Sequence, residues 1–288
     1  MQQQALFFII LSALFHLGWN FCVKKSPQKQ LFIWSIFGAT LLLFLPLVVY
    51  HWSLWKHMPF SAVIFCLVAS FMYSFYQLCL GKAYQNGELS LVYPLTGLSP
   101  LFVPIWANWF LGETLTFSGF VGVFLITFGA TLLQWQPSNL PFSKERSHKT
   151  SVLWALAASV FASVGSVFDK AGVDQLSGTF IYFYITLMVF FMFCFLTVFF
   201  RKEISLDEVW MEVKEFYLLI FWGGLFLAGS VLFFRYGMKF CSISYAVALR
   251  KASMVLGVWI GAVLYKESYV VLRTLASIII VLGIFLLK

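Results

Sequence analysis

Apolar residues run along this chain in blocks of about twenty, broken by short clusters of polar and charged residues. A bilayer core takes roughly 20 residues of helix to cross. On that scale the blocks predict ten spans, at 4–23, 31–50, 60–81, 89–111 and 116–135, then at 151–171, 178–200, 215–238, 243–264 and 268–287. The clearly polar connector of the first half, Gln136-Pro137-Ser138 through Lys149-Thr150, predicts a first five-span repeat over 1–136, a connector over 137–150 and a second five-span repeat over 151–288. A second polar stretch, Arg201 to Glu215, has the spacing of a short amphipathic surface helix. Leu206, Val209, Trp210 and Val213 fall on one side of it, and Asp207, Glu208, Glu212 and Lys214 on the other.

The two sets of spans are related. Gly87 to Leu133 and Cys241 to Leu287 superimpose without gaps at an offset of 154 residues, which sets Ser90 on Ser244, Leu95 on Leu249, Ser99 on Ser253, Glu113 on Glu267 and Gly129 on Gly283. An odd number of spans per copy means that the second copy enters the membrane from the opposite side. The predicted fold class is therefore an all-α polytopic membrane protein, ten transmembrane helices arranged as two inverted five-helix repeats.

Composition narrows the class without changing it. Of 288 residues, 61% are hydrophobic and only 10% charged, too little polar surface for a soluble globule. The net charge of +8 belongs at the membrane surface, against lipid headgroups, and gives no support to a nucleic-acid partner. Cys22, Cys66, Cys79, Cys194 and Cys241 are scattered and lie mostly inside apolar runs, so they form neither a disulfide framework nor a CxxC pair. The opening MQQQALFFIILSALF has no basic leader region and reads as a retained first span.

Polar groups inside apolar helices mark the candidate chemistry. Ser12, His16 and Asn20 recur every four positions and share one face of the first span, with Trp19 beside them. His16 and Asn20 need partners in a dry interior. No second ligand stands at metal spacing from His16, so no metal is assigned. Ser159, Ser163, Ser166 and Lys170 make a comparable stripe beside Asp169 in the sixth span, consistent with close helix packing. Tyr73, Tyr76 and Gln77 in the third span suit either a cavity wall or packing. In the fourth, Gly97, Pro100 and Pro104 loosen the backbone, with Tyr93, Thr96 and Ser99 nearby to compensate. Glu113 and Glu267 precede new helices, where a carboxylate meets unsatisfied N–H groups. Gly257 and Gly261 form a small-residue packing face.

The run YPLTGLSPLFVPIWANWFLGETLTFSGFVGVFLITFGATLL, with its kink at Ser99-Pro100, its hinge at Gly112-Glu113 and its Gly-spaced following helix, resembles EamA-type members of the drug/metabolite transporter superfamily. Phe15 to Lys25, FHLGWNFCVKK, is similar to the start of such a repeat. The resemblance implies a small-solute transporter with a cavity lined by the third, fourth, eighth and ninth spans, helped by the first and sixth, and with cytoplasmic termini. Basic residues point the other way. Lys24, Lys25, Lys29, Lys82, Lys144, Arg146, Lys149, Arg201 and Lys202 follow odd-numbered spans, and the positive-inside rule then places both termini outside.

The sharpest departure between the copies is Arg250-Lys251 in the ninth span, where the first copy has Thr96-Gly97. Each charge costs about 2.5–3.5 kcal/mol inside a bilayer even on the lenient insertion scale. Arg235 and Lys239, four residues apart on the eighth span, add to the positive region, and the acids Asp169 and Asp174 are few. Surplus cations suit an organic anion, since Arg offers a planar fork and Lys a compact charge for phosphate or carboxylate. The pair also resembles the phosphate-binding Lys/Arg pair of the triose-phosphate translocators, with the order reversed. Arg250, Lys251, Arg235, Tyr73, Tyr76, Gln77, Tyr93, Thr96, His16, Trp19, Asn20 and Tyr245 are accordingly the expected substrate-binding residues.

The expected protein is a multi-pass transporter of a bacterial-type inner (plasma) membrane. It is a monomer or homodimer whose partners are a small-molecule substrate and membrane lipid, without a cofactor. The competing functions are an exporter of amino acids or amphipathic drugs, a flippase for a phosphate-bearing lipid, a membrane enzyme acting on a lipid phosphate, and an accessory membrane protein. No Ser/His/Asp or paired-carboxylate constellation supports the enzyme.

Overall fold

In a computed structural model the residues described are 3–25, 29–50, 52–86, 92, 95–134, 146–176, 184, 186, 188–189, 192, 206–252 and 270–287. Among them are nine helices: α1 (Gln3–Lys25), α2 (Lys29–Tyr50), α3 (Phe60–Asn86), α4 (Ser99–Leu111), α5 (Phe117–Gln134), α6 (Arg146–Asp174), α7 (Leu206–Met238), α8 (Ile243–Ala252) and α9 (Val270–Leu286). Five, within α1, α2, α3, α6 and α7, are long and apolar enough to cross a membrane. Most of the seventh predicted span, the later part of the ninth, Glu267, Gly257 and Gly261 lie outside the described residues.

The chain folds as two compact units, and each takes segments from both halves of the sequence. The first contains Met1–Leu6, Phe75–Val167 and Phe240–Lys288; the second contains Phe7–Ser74 and Phe168–Lys239.

The first unit is built on the antiparallel pair α5 and α9. Val123, Ile126, Ala130 and Leu133 interlock with Ala276, Ile280 and Leu287, and all are buried. Glycines set how closely the helices approach. A Cβ on Gly122 would lie 2.8 Å from the Gly283 carbonyl oxygen, and one on Gly129 would lie 2.9 Å from that of Ala276. These contacts are images of each other: the 154-residue offset takes Gly122 to Ala276 and Gly129 to Gly283. The same holds for Gly283 against Ile126 and Gly129 against Ile280. Equivalent helices of the two copies thus meet about a local two-fold axis, running in opposite directions.

The hinge before α5 is a backbone device. Gly112 ends α4 at φ +66°, in the left-handed region that glycine enters without strain, and its N–H donates to the Asn108 carbonyl at 3.2 Å. Thr116 then caps α5 by accepting the Gly119 N–H at 3.1 Å.

In the second unit α1 packs antiparallel to α7, with the Ser12 hydroxyl donating to the Ser230 carbonyl at 2.6 Å and Phe15 lying against Gly229. Helix α2 runs parallel to α7: Phe32 meets Phe216, Ile36 meets Gly223, and the Thr40 hydroxyl donates to the Gly224 carbonyl at 3.1 Å. In α3 and α6, Phe65 packs at a tilt against Phe168 while the Ser61 hydroxyl donates to Gln175 Oε1, again antiparallel.

Helix α7 corrects the expectation of a separate surface helix ending at Glu215. It spans 33 residues, about 50 Å at 1.5 Å per residue, and bends at Phe216, where φ is −114° and ψ 20°. Its faces also differ from the predicted ones. Val213 and Phe216 pack on the core and Glu212 is buried, while Trp210 is 68% exposed. Trp210 instead begins an outward apolar stripe continued by Tyr217, Leu218, Phe221 and Trp222. That stripe matches a lipid-facing side with an aromatic belt at its end.

Candidate functional site

Of the predicted site residues, the first unit holds Tyr76, Gln77, Thr96, Tyr245, Arg250 and Lys251, and the second holds His16, Trp19, Asn20, Tyr73 and Arg235. Tyr93 lies outside the described residues.

Arg250 and Lys251 lie near the end of the described part of α8, both half-buried. The helix starts against a carboxylate: the Ile243 N–H donates to Glu113 Oε1 at 3.0 Å and to Oε2 at 3.1 Å. Glu113 therefore meets a helix N-terminus as its position suggested, but that of α8 in the other copy and not that of α5, which follows it in sequence. Tyr245 and Ala248 turn one face of α8 into the α5/α9 core. At about 100° per residue, Arg250 falls on the opposite side of the helix and Lys251 on its flank. Tyr245 packs over Gly119, where any Cβ would collide with its ring, so it contributes to the joint between α8 and α5.

The loosened start of α4 finds its partner in α6. The Leu95 carbonyl accepts the Ser159 hydroxyl at 2.6 Å, and the Trp106 indole N–H reaches Ser163 Oγ at 3.0 Å. Two members of the serine stripe thus tie α6 to the fourth span, one of them at a carbonyl close to the proline kink. Thr96 is buried, and Tyr76 and Gln77 are half-buried along α3. Near the end of α3 the Lys82 ammonium lies 4.3 Å from the Trp154 ring centroid.

In the second unit the polar stripe of α1 is resolved mainly within the helix. The Trp19 indole N–H donates to His16 Nδ1 at 2.9 Å, which leaves the ring proton of neutral His16 on Nε2. The Asn20 amide donates to the His16 carbonyl at 2.7 Å, and Asn20 is exposed. Ser12 is spent on packing against α7. Tyr73 is half-buried, one residue before Ser74, the last residue of α3 that belongs to the second unit.

Arg235 requires a correction to the expected positive region. Its Nε and Nη2 donate to the two oxygens of Asp169 at 3.0 and 2.9 Å, and both side chains are 3% exposed. Nη1 donates to the Val231 carbonyl at 3.3 Å, and the guanidinium stands 5.6 Å from the ring centroid of buried Tyr184. Nearby, Lys170 pairs with Asp174 at 2.5 Å, and Lys239 donates to the Leu176 carbonyl. The charge of Arg235 is matched inside its own unit, so it does not extend a cationic surplus. Sequence reasoning noted Asp169 as a rare acid but missed this pairing. The available signal was an aspartate within an apolar helix, which demands a buried partner.

Helices throughout the described residues, five of them long and apolar enough to span a membrane, together with two offset-related copies in the sequence define a polytopic membrane protein of repeat architecture. The EamA-like transporter family model matches it twice, over residues 3–135 and 149–288, and the chain belongs to that family. A solved structure described only as the crystal structure of a protein has a similar fold, with a TM-score of 0.73 at 15% identity, covering 99% of this chain and 96% of that one. No curated protein matches in sequence.

Proposed function

We propose that this member of a small-solute transporter family is a secondary transporter that carries a small organic anion, a phosphate ester or carboxylate, by alternating access. The observation that carries the anionic preference is the adjacent Arg250-Lys251 pair, half-buried on α8, a helix on which Ile243, Ser244 and Ala246 to Leu249 are all buried. A ligand bearing phosphate or carboxylate offsets the cost of holding two like charges there. The antiparallel, offset-related packing of α5 on α9 supports inverted repeats, the arrangement that lets one site face either side in turn. Parallel α2 and α7, and antiparallel α1 and α7, agree with a layout in which they are the second, eighth and first of ten spans.

The test is a thermal-shift screen of the purified protein against phosphorylated metabolites, carboxylates, amino acids and cationic drugs, followed by uptake into proteoliposomes. A ligand at one hundred times its Kd stabilises by about 2.7 kcal/mol. Arg250→Ala and Lys251→Ala are each expected to abolish both the shift and the uptake of the anion, with the elution profile and melting of the unliganded protein preserved. Unchanged transport in both variants refutes the assignment.

A further inference from the structure

The ends of α3, α6 and α7 meet at one end of the second unit. Ser61 opens α3, Gln175 and Leu176 follow α6, and Lys239 follows α7. There the Ser61 hydroxyl bonds Gln175 Oε1, and Lys239 Nζ bonds the Leu176 carbonyl. One to two turns deeper, Asp169 takes two N–H groups of the Arg235 fork. Cys66 on α3 is fully buried and within electrostatic range of both Asp169 and Arg235. Three helices are tied at this end by polar contacts whose innermost member is a dry, bidentate ion pair.

The first copy has no such set. The first span, which corresponds to the sixth, contains no Asp or Glu between residues 4 and 23, and the third, which corresponds to the eighth, contains no Arg between residues 60 and 81. An Asp–Arg pair of this kind therefore cannot form between them. In an inverted repeat, equivalent positions belong to opposite membrane faces, so the ion pair belongs to one face alone.

We propose that Asp169 and Arg235 form a clamp that keeps α6 and α7 closed at one membrane face, so that the two halves of a transport cycle are unequal. This rests on the alternating-access reading above. Pulling the pair apart takes from each buried group its opposite charge and its bidentate hydrogen bonds, at a cost unless water reaches both. The bidentate fork makes the closed arrangement geometrically specific, because a shift of either helix misaligns two hydrogen bonds at once. The face that carries the clamp opens only as the pair separates, a step that the first and third spans, which lack such a pair, do not impose.

Cys66 is a built-in reporter. In protein with Cys22, Cys79, Cys194 and Cys241 replaced by serine, the rate at which a membrane-impermeant maleimide modifies Cys66 reads the opening of this end and needs no substrate. Slow labelling is expected with the pair intact, and labelling at least tenfold faster in Asp169→Asn and in Arg235→Gln. Exchange of the charges, Asp169→Arg with Arg235→Asp, is expected to bring the rate back towards that of the intact pair. Unchanged rates in both single variants overturn the clamp, as does an exchanged protein that labels as fast as the single variants. If a single variant fails to fold, the exchanged protein decides: folded with Cys66 protected supports the clamp, unfolded or freely labelled overturns it. Failure of the anion assignment appears separately, in the uptake of the Arg250 and Lys251 variants.

Discussion

Gly283→Ala is expected to loosen the joint between α5 and α9. The new methyl carbon would lie 2.7 Å from Ile126 Cγ1 and 2.9 Å from both the Gly122 carbonyl oxygen and the Ile126 nitrogen. Two of those three atoms are backbone, so no side-chain rotation relieves the clash. Ordinary contact begins near 3.4 Å, so the helices must part by about 0.5 Å, a gap that forfeits roughly a quarter of the dispersion energy of each affected atom pair. Overpacking of this kind costs about 1–3 kcal/mol. Alanine returns about 1 kcal/mol through its better helix propensity, leaving a net loss of about 1 kcal/mol. Gly129→Ala, related to it by the repeat, meets Ile280 and the Ala276 carbonyl and is expected to lose a similar amount. Gly38→Ala is the control, since a Cβ there meets nothing within 4 Å; it is expected to gain about 1 kcal/mol. Equilibrium unfolding in mixed detergent micelles measures the spread of about 2 kcal/mol between the interface variants and the control. Stability of Gly283→Ala and Gly129→Ala equal to that of Gly38→Ala would refute the close antiparallel approach.

Two further tests address the hinge region. Gly112→Ala meets no atom, so its expected cost of about 1–2 kcal/mol is purely that of a positive φ. Gly112→Asn should recover part of it in the same unfolding assay, and equal stabilities for the two would contradict the left-handed assignment. Glu113→Ala removes the acceptor for the Ile243 N–H and is expected to cost about 1 kcal/mol. Hydrogen exchange should then quicken at the start of α8, and unaltered protection there would count against the cap.

Much of the scaffold was legible in the sequence because its causes are local or periodic. Apolar block length locates helices, and the 154-residue offset relates Gly129 to Gly283, while the structure alone shows that Gly129 packs on Ala276 and Ile280 and Gly283 on Gly122 and Ile126. Partner choice was less legible. Glu113 sits beside α5 in sequence, but its carboxylate is used 130 residues away, because the left-handed turn at Gly112 aims the chain towards α8. Arg235 and Asp169 are 66 residues apart, and nothing in either helix alone indicates that they face each other. On α7, Trp210 and Glu212 reversed their expected sides because this segment continues the faces of the long helix, with Glu212 in register with Phe216 and Ile220 and Trp210 with Tyr217 and Phe221. For the candidate site, the sequence identified the two cations of α8, while the turn of that helix, fixed by Tyr245 and Ala248, distinguishes the outlook of Arg250 from that of Lys251.

The weaving of both copies into each compact unit bears on how the chain is made. Helix α5 ends at Gln134, but the surface that Gly122 and Gly129 require is supplied by α9, which begins at Val270. A ribosome that has delivered the first half has therefore delivered a helix with its glycine groove still facing lipid. The core of the first unit is completed only when the last segment enters the bilayer. A first copy synthesised alone carries half of that joint, and its most available substitute is the groove of a second such copy.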